Sequence, residues 1–277
     1  MTASTDLLLP VGQQPFDPGE LGRVRAVVEE GLAEGLWVRD LPSVPIGDPD
    51  VGQGGDPFAH LAFLAGRGLD RGVGRLGTAS IILGLRHPLV VARAVVGLQA
   101  QARCPLVLGV GTGGKPAMND ALGISGRSLR DFAALWRELR EMLHRPGNGA
   151  TAFVVPDGYH PPDMHLATTS LARWEAIGGH AEGWQTFLST PEGYLRTLDD
   201  VLAIRQGPLR VCVRADITLT GALSAPPYVA DRRRVTCHPQ QLVALLRTWS
   251  QLPVDHMLLS LRGADPLATL RLVRESV

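Results

Sequence analysis

The sequence predicts an α/β protein in which eight strands close into a (β/α)8 TIM-type barrel. Apolar, β-rich runs alternate with segments of helical spacing along the chain, a pattern typical of a parallel sheet. Eight such units follow one another, which favours closure of the sheet. The chain has 277 residues, of which 45% are hydrophobic, and α/β barrels form one domain at about 250 residues. We therefore expect a single domain over residues 1–277.

The clearest strand–helix–strand unit spans residues 74–114. It reads GRLGTASIILGLRHP, then a helical segment, then CPLVLGVGTGG. We predict strand three at Arg75–Leu83, a helix at Pro88–Ala102 and strand four at Leu106–Gly111, the spacing of a βαβ crossover. Both strands end in small or polar residues. Because α/β proteins bind ligands at the carboxyl ends of parallel strands, we expect the site there.

Two further units precede this stretch. Asp6–Val11 is a short apolar run and is predicted as strand one, followed by a helix over Pro18–Gly35 with apolar residues at helical spacing. Leu36–Leu41 is predicted as strand two. The segment Pro42–Gly55 is rich in Pro, Gly and Asp, which indicates a loop. Asp56–Gly68 begins with an Asp and a Pro, a helix-start pattern.

The second half continues the alternation. Its predicted elements are, in order, helix Ser128–His144, an irregular connection over Arg145–Asp163, strand five Met164–Thr168, helix Ser170–Gly178, strand six Ala181–Leu188, helix Glu192–Arg205, strand seven Leu209–Leu219, a loop over Thr220–Arg234, helix His238–Gln251, strand eight His256–Leu261 and helix Pro266–Val277. Strand seven is assigned from its alternation of apolar and polar residues, and the helices from apolar residues three and four apart.

Charge and composition exclude several classes of protein. The 27 basic and 27 acidic residues balance, so no basic field is available for nucleic acid or an anionic membrane. No apolar run reaches the membrane-spanning length of about 18 residues. The cysteines Cys104, Cys212 and Cys237 are too far apart for a metal motif or an obvious disulfide set. With no HExxH or CxxC motif and no signal peptide at the start, we expect a cytoplasmic protein without a metal.

An anion site is predicted where strand five meets its helix. Thr169 and Ser170 carry hydroxyl groups, and Arg173 follows one turn later. Free N–H groups at a helix start, a hydroxyl and a guanidinium together suit a phosphate. The alternative is that Ser170 or Thr169 only caps the helix. Capping does not require an arginine at the positive end of the helix dipole, so we favour the phosphate.

The segment Gly109–Lys115 resembles a phosphate-binding P-loop of GxxxxGK[ST] form. The residue after the lysine is Pro116, which has no hydroxyl group for magnesium. We therefore do not interpret this segment as a nucleotide site.

Three residues at strand ends are candidate catalytic residues, in the order Asp40, His87, Arg39. Arg39 and Asp40 end strand two and His87 follows strand three, so we expect all three at the barrel mouth. A histidine can act as acid or base near neutral pH, and an Asp with an Arg can orient a polar substrate. In the alternative interpretation, His87 caps a helix and Arg39 and Asp40 form a structural ion pair.

Taken together, these segments resemble one family. LGTASIILGLRHP followed by LGVGTGG resembles the third and fourth strands of luciferase-like flavin monooxygenases. GLWVRDLP is similar to that family's second strand, ATTSLARWEAIGGHAEGW to its fifth and sixth strands, and VDHMLLSL to its eighth. The order and spacing of these segments carry the resemblance through most of the chain.

The resemblance implies an FMN site. Its residues would be Thr78, Ala79, Ser80, Gly111, Thr112, Thr169, Ser170 and Arg173. It further implies a non-proline cis peptide between Ala79 and Ser80. The implied function is oxygenation of a small organic substrate with oxygen and reduced FMN from a separate flavin reductase, and relatives suggest a homodimer.

Two departures from the family keep alternatives open. The acidic residue and the Ser-Gly-Gly-Arg turn expected before strand four are absent from Gln99–Pro105, and the connection after strand seven is shortened. The chain is thus expected to be a shortened luciferase-like variant. The alternatives are a deazaflavin-dependent dehydrogenase on the same barrel, or a barrel without cofactor that acts as a partner subunit or binding protein.

Overall fold

The computed structural model describes residues 3–9, 18–42, 55–113, 116–125, 128–146, 155–177, 179–205, 207–221, 228–230, 234–263 and 265–277. The strands of these residues are β1 Ser4–Leu8, β2 Gly35–Val38, β3 Arg75–Ile82, β4 Leu106–Gly111, β5 Asp163–Ala167, β6 Gly183–Phe187, β7 Arg210–Leu219, β8 Tyr228–Ala230, β9 Arg234–Cys237 and β10 His256–Gly263. Strands β1 to β7 pair in sequence order, and β10 pairs in parallel with both β1 and β7. The predicted closed eight-stranded parallel barrel is confirmed.

The helices pack around this barrel. They are α1 Pro18–Glu29, α2 Pro57–Gly66, α3 Pro88–Gln99, α4 Pro116–Ala121, α5 Leu129–His144, α6 Leu171–Ala176, α7 Pro191–Ile204, α8 Pro239–Trp249 and α9 Pro266–Ser276. Several begin where the sequence places a cap: Asp56 accepts hydrogen bonds from two amides of α2, and Ser128 forms a capping box with Asp131 at α5. None of the helices described here is both long and apolar enough to span a bilayer.

The prediction of a loop over Thr220–Arg234 was wrong in its last part, where β8 lies and β9 begins. Strand β9 pairs in parallel with the outer half of β7, over Asp216–Leu219, and β8 pairs antiparallel with β9. Strand β6 pairs with β7 only as far as Arg214. The outer part of β7 would therefore leave backbone groups unpaired on that edge, and β9 satisfies them.

Other boundaries differ by a few residues. Strand β1 begins at Ser4 and ends at Leu8, and the last two residues of the predicted strand lie outside the described ranges. Helix α1 ends at Glu29, before Gly31 turns the chain with a φ of 61°. Helix α4 was not predicted. Most of the predicted loop over 42–55 also lies outside the described residues.

A buried polar cluster fills the amino end of the barrel. The Asp6 carboxylate is fully buried and accepts hydrogen bonds from Trp37 Nε1 at 2.7 Å and from Arg75 Nη1 at 2.8 Å. His256 Nδ1 lies 2.9 Å from the same Arg75 nitrogen and 2.7 Å from Ser4 Oγ. Since these groups satisfy one another, this end is packed, and the open cavity lies at the carboxyl end of the strands.

Candidate active site

A cavity of about 330 Å³ opens at the carboxyl ends of the barrel strands. One side, here called the small-residue wall, consists of Ala79, Ser80, Gly111, Thr112, Ala167, Thr168, Thr169 and Arg173. A second set of lining residues, here called the charged wall, consists of Arg39, Asp40, Gln185, Phe187, Arg214, Asp216 and Arg234. The small-residue wall belongs to β3, β4 and the β5–α6 connection, where the sequence predicted ligand contacts.

The peptide bond between Ala79 and Ser80 is cis, as the resemblance implied. It lies where the β3–β4 register shifts between Thr78 and Ile81. The structure differs from expectation at Thr78, which is fully buried and does not line the cavity. Its hydroxyl donates to the Gly109 carbonyl at 2.9 Å. Thr78 therefore supports the β3–β4 pairing rather than facing a ligand.

Gly111 leaves a space on the small-residue wall that a side chain would fill. A Cβ atom at this position would lie 2.8 Å from Ser80 Oγ and 3.3 Å from the Ala167 carbonyl oxygen. Strands β3, β4 and β5 thus come together around the hydrogen of one glycine. The absence of a side chain lets the three strands approach closely at this point of the cavity lining.

The β5–α6 connection places Arg173 at the cavity. Thr168 Oγ1 accepts hydrogen bonds from Ser170 N and from Arg173 Nη1, both at 3.0 Å. The Arg173 Nε is buried and has no partner among the described residues, and burial lowers the pKa of this arginine. A guanidinium in this state has hydrogen-bonding capacity left for an anion.

The alternative interpretation, that the side chain of Ser170 or Thr169 caps α6, is wrong. Ser170 occupies the cap position, but its side chain makes no capping hydrogen bond. The Thr168 hydroxyl accepts from the Ser170 amide instead. Thr169 lines the cavity, whereas Ser170 is not among the residues that line it.

A second cavity of about 260 Å³ adjoins the first. The two share Thr112, Gly113 and Arg173, and the second extends towards the start of α5, where Ser128 and Phe132 line it. Arg173 therefore stands where the two spaces meet. A ligand longer than the first cavity has room to continue past this guanidinium.

Arg39 and Asp40 do not pair with each other, contrary to the ion-pair interpretation. Arg39 Nη2 lies 2.9 Å from Asp216 Oδ1 and also donates to Ser260 Oγ. Asp216 in turn accepts three hydrogen bonds from Arg214, at 3.0 to 3.2 Å. The side chains of residues 39 and 40 diverge because neighbouring residues leave an extended chain in opposite directions.

Asp40 holds the segment that follows β3. Its Oδ2 accepts from the Ile82 amide at 2.8 Å and from Arg86, whose second terminal nitrogen lies 3.0 Å from Oδ1. Burial lowers the pKa of Arg86, but hydrogen bonds and charge from Asp40 and Asp56 raise it more. Asp40 lines the cavity, yet most of its acceptor capacity serves this contact.

His87 lies away from the other candidates. Its side chain is exposed and does not line either cavity. The ring nitrogen Nδ1 accepts from the Leu89 amide at 3.2 Å and caps α3. The structure therefore favours the helix-cap interpretation of this residue, since the ring is engaged at the outer start of α3.

Sequence reasoning missed the charged residues of β7. Arg214 and Asp216 stand two positions apart in β7, so both side chains point to the same face. Two charges on the inner face of a barrel strand, near its carboxyl end, are a signal that could have identified them. Gln185 was missed too; it lines the cavity and donates to the Thr78 carbonyl at 2.9 Å.

Two further kinds of ligand site, a metal site and a P-loop, were considered from the sequence. Among the residues with described positions, no group of three or more His, Cys, Asp or Glu side chains could hold a metal ion. Gly109 to Gly111 form the end of β4. Lys115, the residue on which the P-loop pattern depends, lies outside the described residues.

Comparison with known proteins identifies the family of the chain. Residues 5–235 match the family described as luciferase-like monooxygenase. No curated protein matches the chain by sequence.

Solved structures share the fold at low sequence identity. Monooxygenase RslO1 from Streptomyces bottropensis superposes with a TM-score of 0.72 at 16% identity, covering 99% of this chain and 98% of that one. EDTA monooxygenase from Chelativorans sp. BNC1 gives 0.72 at 14% identity, covering 100% and 92%. An F420-dependent secondary alcohol dehydrogenase, solved with an F420–acetone adduct, gives 0.71 at 12% identity, covering 100% and 98%.

Proposed function

The chain belongs to the family of luciferase-like monooxygenases, and from this premise we propose that it oxygenates a small organic molecule with oxygen and reduced FMN. The observation that carries the proposal is the small-residue wall, which includes both Gly111 and Arg173. The small residues Ala79, Ser80 and Gly111 suit a planar ring, and a guanidinium whose Nε is buried without a described partner suits a phosphate. The two features lie in one cavity.

The residues proposed to hold FMN follow from this arrangement. Ala79, Ser80 and Gly111 would contact the ring, and Thr112, Thr169 and Arg173 the phosphorylated tail, since Arg173 has a buried nitrogen without a described partner. Thr168 would orient the guanidinium through its 3.0 Å hydrogen bond. Ser170 does not line the cavity, so we do not propose that its hydroxyl contacts FMN. Its backbone amide would hold Thr168 in place through the hydrogen bond to Thr168 Oγ1.

When bound, reduced FMN supplies the electrons and activates the oxygen; the chain binds, orients and positions. Of the three candidate catalytic residues, Asp40 and Arg39 line the cavity and stay candidates for contacts with the substrate. Arg39 cannot act as a base because a guanidinium does not lose its proton in proteins. His87 is not retained, since it caps α3.

A second candidate cofactor is the deazaflavin F420, for an oxidation without oxygen. The observation that favours it is the second cavity beyond Arg173, which offers room for a tail longer than that of FMN. A solved structure with the same fold contains this cofactor. The residues proposed to hold FMN would then hold the F420 ring and its first phosphate, namely Ala79, Ser80, Gly111, Thr112, Thr169 and Arg173.

The test is direct titration of the purified protein with FMN and, separately, with F420, followed by absorbance and fluorescence. We expect one of the two to bind at micromolar concentration. Arg173→Met should weaken that binding about 10- to 100-fold, as expected for loss of hydrogen bonds to a charged group. The matched control Arg25→Met changes an exposed arginine of α1 and should leave binding unchanged.

Failure of both cofactors to bind at tens of micromolar would contradict the proposal and favour a barrel without cofactor, acting as a partner subunit or binding protein.

We further propose that a separate reductase supplies reduced FMN, that the protein is a cytoplasmic homodimer, and that residues 1–277 form one domain. Its three cysteines are free thiols, in keeping with a reducing compartment.

A further inference from the structure

The described lining of the cavity carries more guanidinium than carboxylate groups. Its arginines are Arg39, Arg173, Arg214 and Arg234, and its aspartates are Asp40 and Asp216. Asp40 is already matched by Arg86, which does not line the cavity. Because field lines concentrate in a cleft with walls of low dielectric constant, this excess attracts anions into the cavity.

Arg214 is the best placed of these cations to bind a substrate. Its Nε and Nη2 are fixed on Asp216, and the guanidinium lies 5.5 Å from the centroid of the Phe187 ring. No described residue accepts a hydrogen bond from the remaining terminal nitrogen, Nη1, and the side chain is 18% exposed. The result is an oriented donor beside an apolar surface, open to the cavity.

The topology separates Arg214 from the proposed cofactor contacts. In the closed order of eight strands, β3 and β7 are four strands apart in both directions around the barrel. The cis peptide of β3 and Arg214 of β7 therefore face each other across the cavity. Arg173 follows β5 and belongs to the small-residue wall, so the two guanidinium groups serve different parts of the space.

We propose that the substrate is a small organic oxyanion, a carboxylate or sulfonate, whose charged group binds Arg214 while its carbon skeleton contacts Phe187. This inference rests on the proposed function, because it assumes that the reaction takes place in this cavity. The N–H groups of Arg214 Nη1 remain to donate charge-assisted hydrogen bonds to the oxygens of such a group. Arg234, exposed on β9, stands at the rim and adds a second positive charge.

The test compares anions with neutral analogues of the same shape. Benzoate and benzamide, and methanesulfonate and methanesulfonamide, are titrated by calorimetry into protein saturated with FMN. The wild-type protein should bind each anion at least about tenfold more tightly than its amide, as charge-assisted hydrogen bonds imply. Arg214→Met should remove this preference, Arg214→Lys should keep part of it, and Arg25→Met should keep all of it.

The affinity for FMN should stay within about threefold of wild type in Arg214→Met, because Arg214 lies opposite the cofactor wall. If Arg214→Met does not fold, Arg234→Met replaces it. That variant changes an exposed side chain and should reduce the preference about threefold. Equal binding of anion and amide, a preference that survives Arg214→Met, or no binding of either anion would each overturn the inference.

Failure of the proposed function is distinguishable from failure of this inference. If FMN does not bind to the wild-type protein, the same titrations are made on the protein alone. A preference for anions that depends on Arg214 would then support the inference without the cofactor. A protein that binds FMN but shows no such preference would retain the proposed function and lose the anionic substrate.

Discussion

Arg39 and Asp216, 177 positions apart in the chain, form an ion pair at 2.9 Å that joins the end of β2 to β7. The Arg39 side chain is only 2% exposed. Three strand pairings separate these two strands around the barrel, through β1 and β10. The pair therefore links distant parts of the barrel within the lining of the cavity.

The first prediction concerns the stability that depends on this pair. Asp216→Ala removes the carboxylate that faces Arg39 and Arg214, and we expect it to lower the free energy of unfolding by about 3 kcal/mol, as for a broken buried pair. Arg39→Met should cost less, since Asp216 keeps its three hydrogen bonds with Arg214. Urea unfolding of both variants measures the two values, and equal losses would contradict this account.

The second prediction concerns the space at Gly111. In Gly111→Ala the new methyl group would lie 2.8 Å from Ser80 Oγ and 3.3 Å from the Ala167 carbonyl. We expect cofactor affinity to fall at least about tenfold, because a displacement at the ring contact costs more than 1.4 kcal/mol.

Gly97→Ala is the matched control for this change. Gly97 lies in α3, and a Cβ atom there would meet nothing within 4 Å. The control should keep cofactor affinity and gain about 0.5 to 1 kcal/mol of stability from helix propensity. If Gly111→Ala binds the cofactor as well as Gly97→Ala does, the proposed ring position is wrong.

The third prediction separates His87 from the active site. Since its ring caps α3 through the Leu89 amide, His87→Ala should lower stability by at most about 1 kcal/mol. Cofactor affinity and turnover should not change. Turnover reduced by about a hundredfold in a normally folded variant would restore His87 as a catalytic residue.

The fourth prediction concerns acid stability. His165 lies in the barrel core, and burial, with a smaller contribution from the charges of His256 and Arg210, lowers its pKa to about 3. In the unfolded chain the pKa is 6.5. As the pH falls from 6.5 towards 3, the unfolded state binds a proton at this residue and the folded state does not, so stability falls by up to about 1.4 kcal/mol per pH unit.

The measurement is the free energy of unfolding between pH 7 and pH 4 in the wild type and in His165→Leu. The variant should lose stability less steeply over this range. His180→Leu, at an exposed position, is the control and should follow the wild type. Parallel slopes for all three proteins would show that His165 does not limit acid stability.

Local patterns were sufficient for the eight barrel strands, for most of the helices and for part of the site. Proline and aspartate at helix starts, and apolar runs of strand length, predicted the order of strands and helices because both signals act over a few residues. The Thr169–Arg173 segment was predicted to face a ligand, and both of these residues line the cavity. The edge of β7 was not predictable, since whether it needs β9 depends on how far β6 extends.

The remaining site residues depended on contacts between strands. Nothing near Arg39 in the chain indicates Asp216 as its partner, and the alternative interpretation paired Arg39 with the adjacent Asp40. Neighbouring residues of an extended chain point in opposite directions, so Arg39 reached β7 and Asp40 reached Arg86. Contacts between strands also decide the role of Thr78, whose hydroxyl donates to the Gly109 carbonyl. The irregularity in the β3–β4 register between Thr78 and Ile81 decides which side chains of β3 face the cavity.

By itself the sequence determined the alternation of strands and helices, the family to which the chain belongs, and the end of the barrel where the site lies. Those properties follow from hydrophobic periodicity and from short segments read locally. Only the tertiary structure decided which charges meet, which hydroxyl groups are used within the barrel, and which guanidinium groups face the cavity. Barrel closure makes these choices, because it pairs β7 with β10 and brings Asp216 and Ser260 within reach of Arg39, across separations that no local pattern encodes.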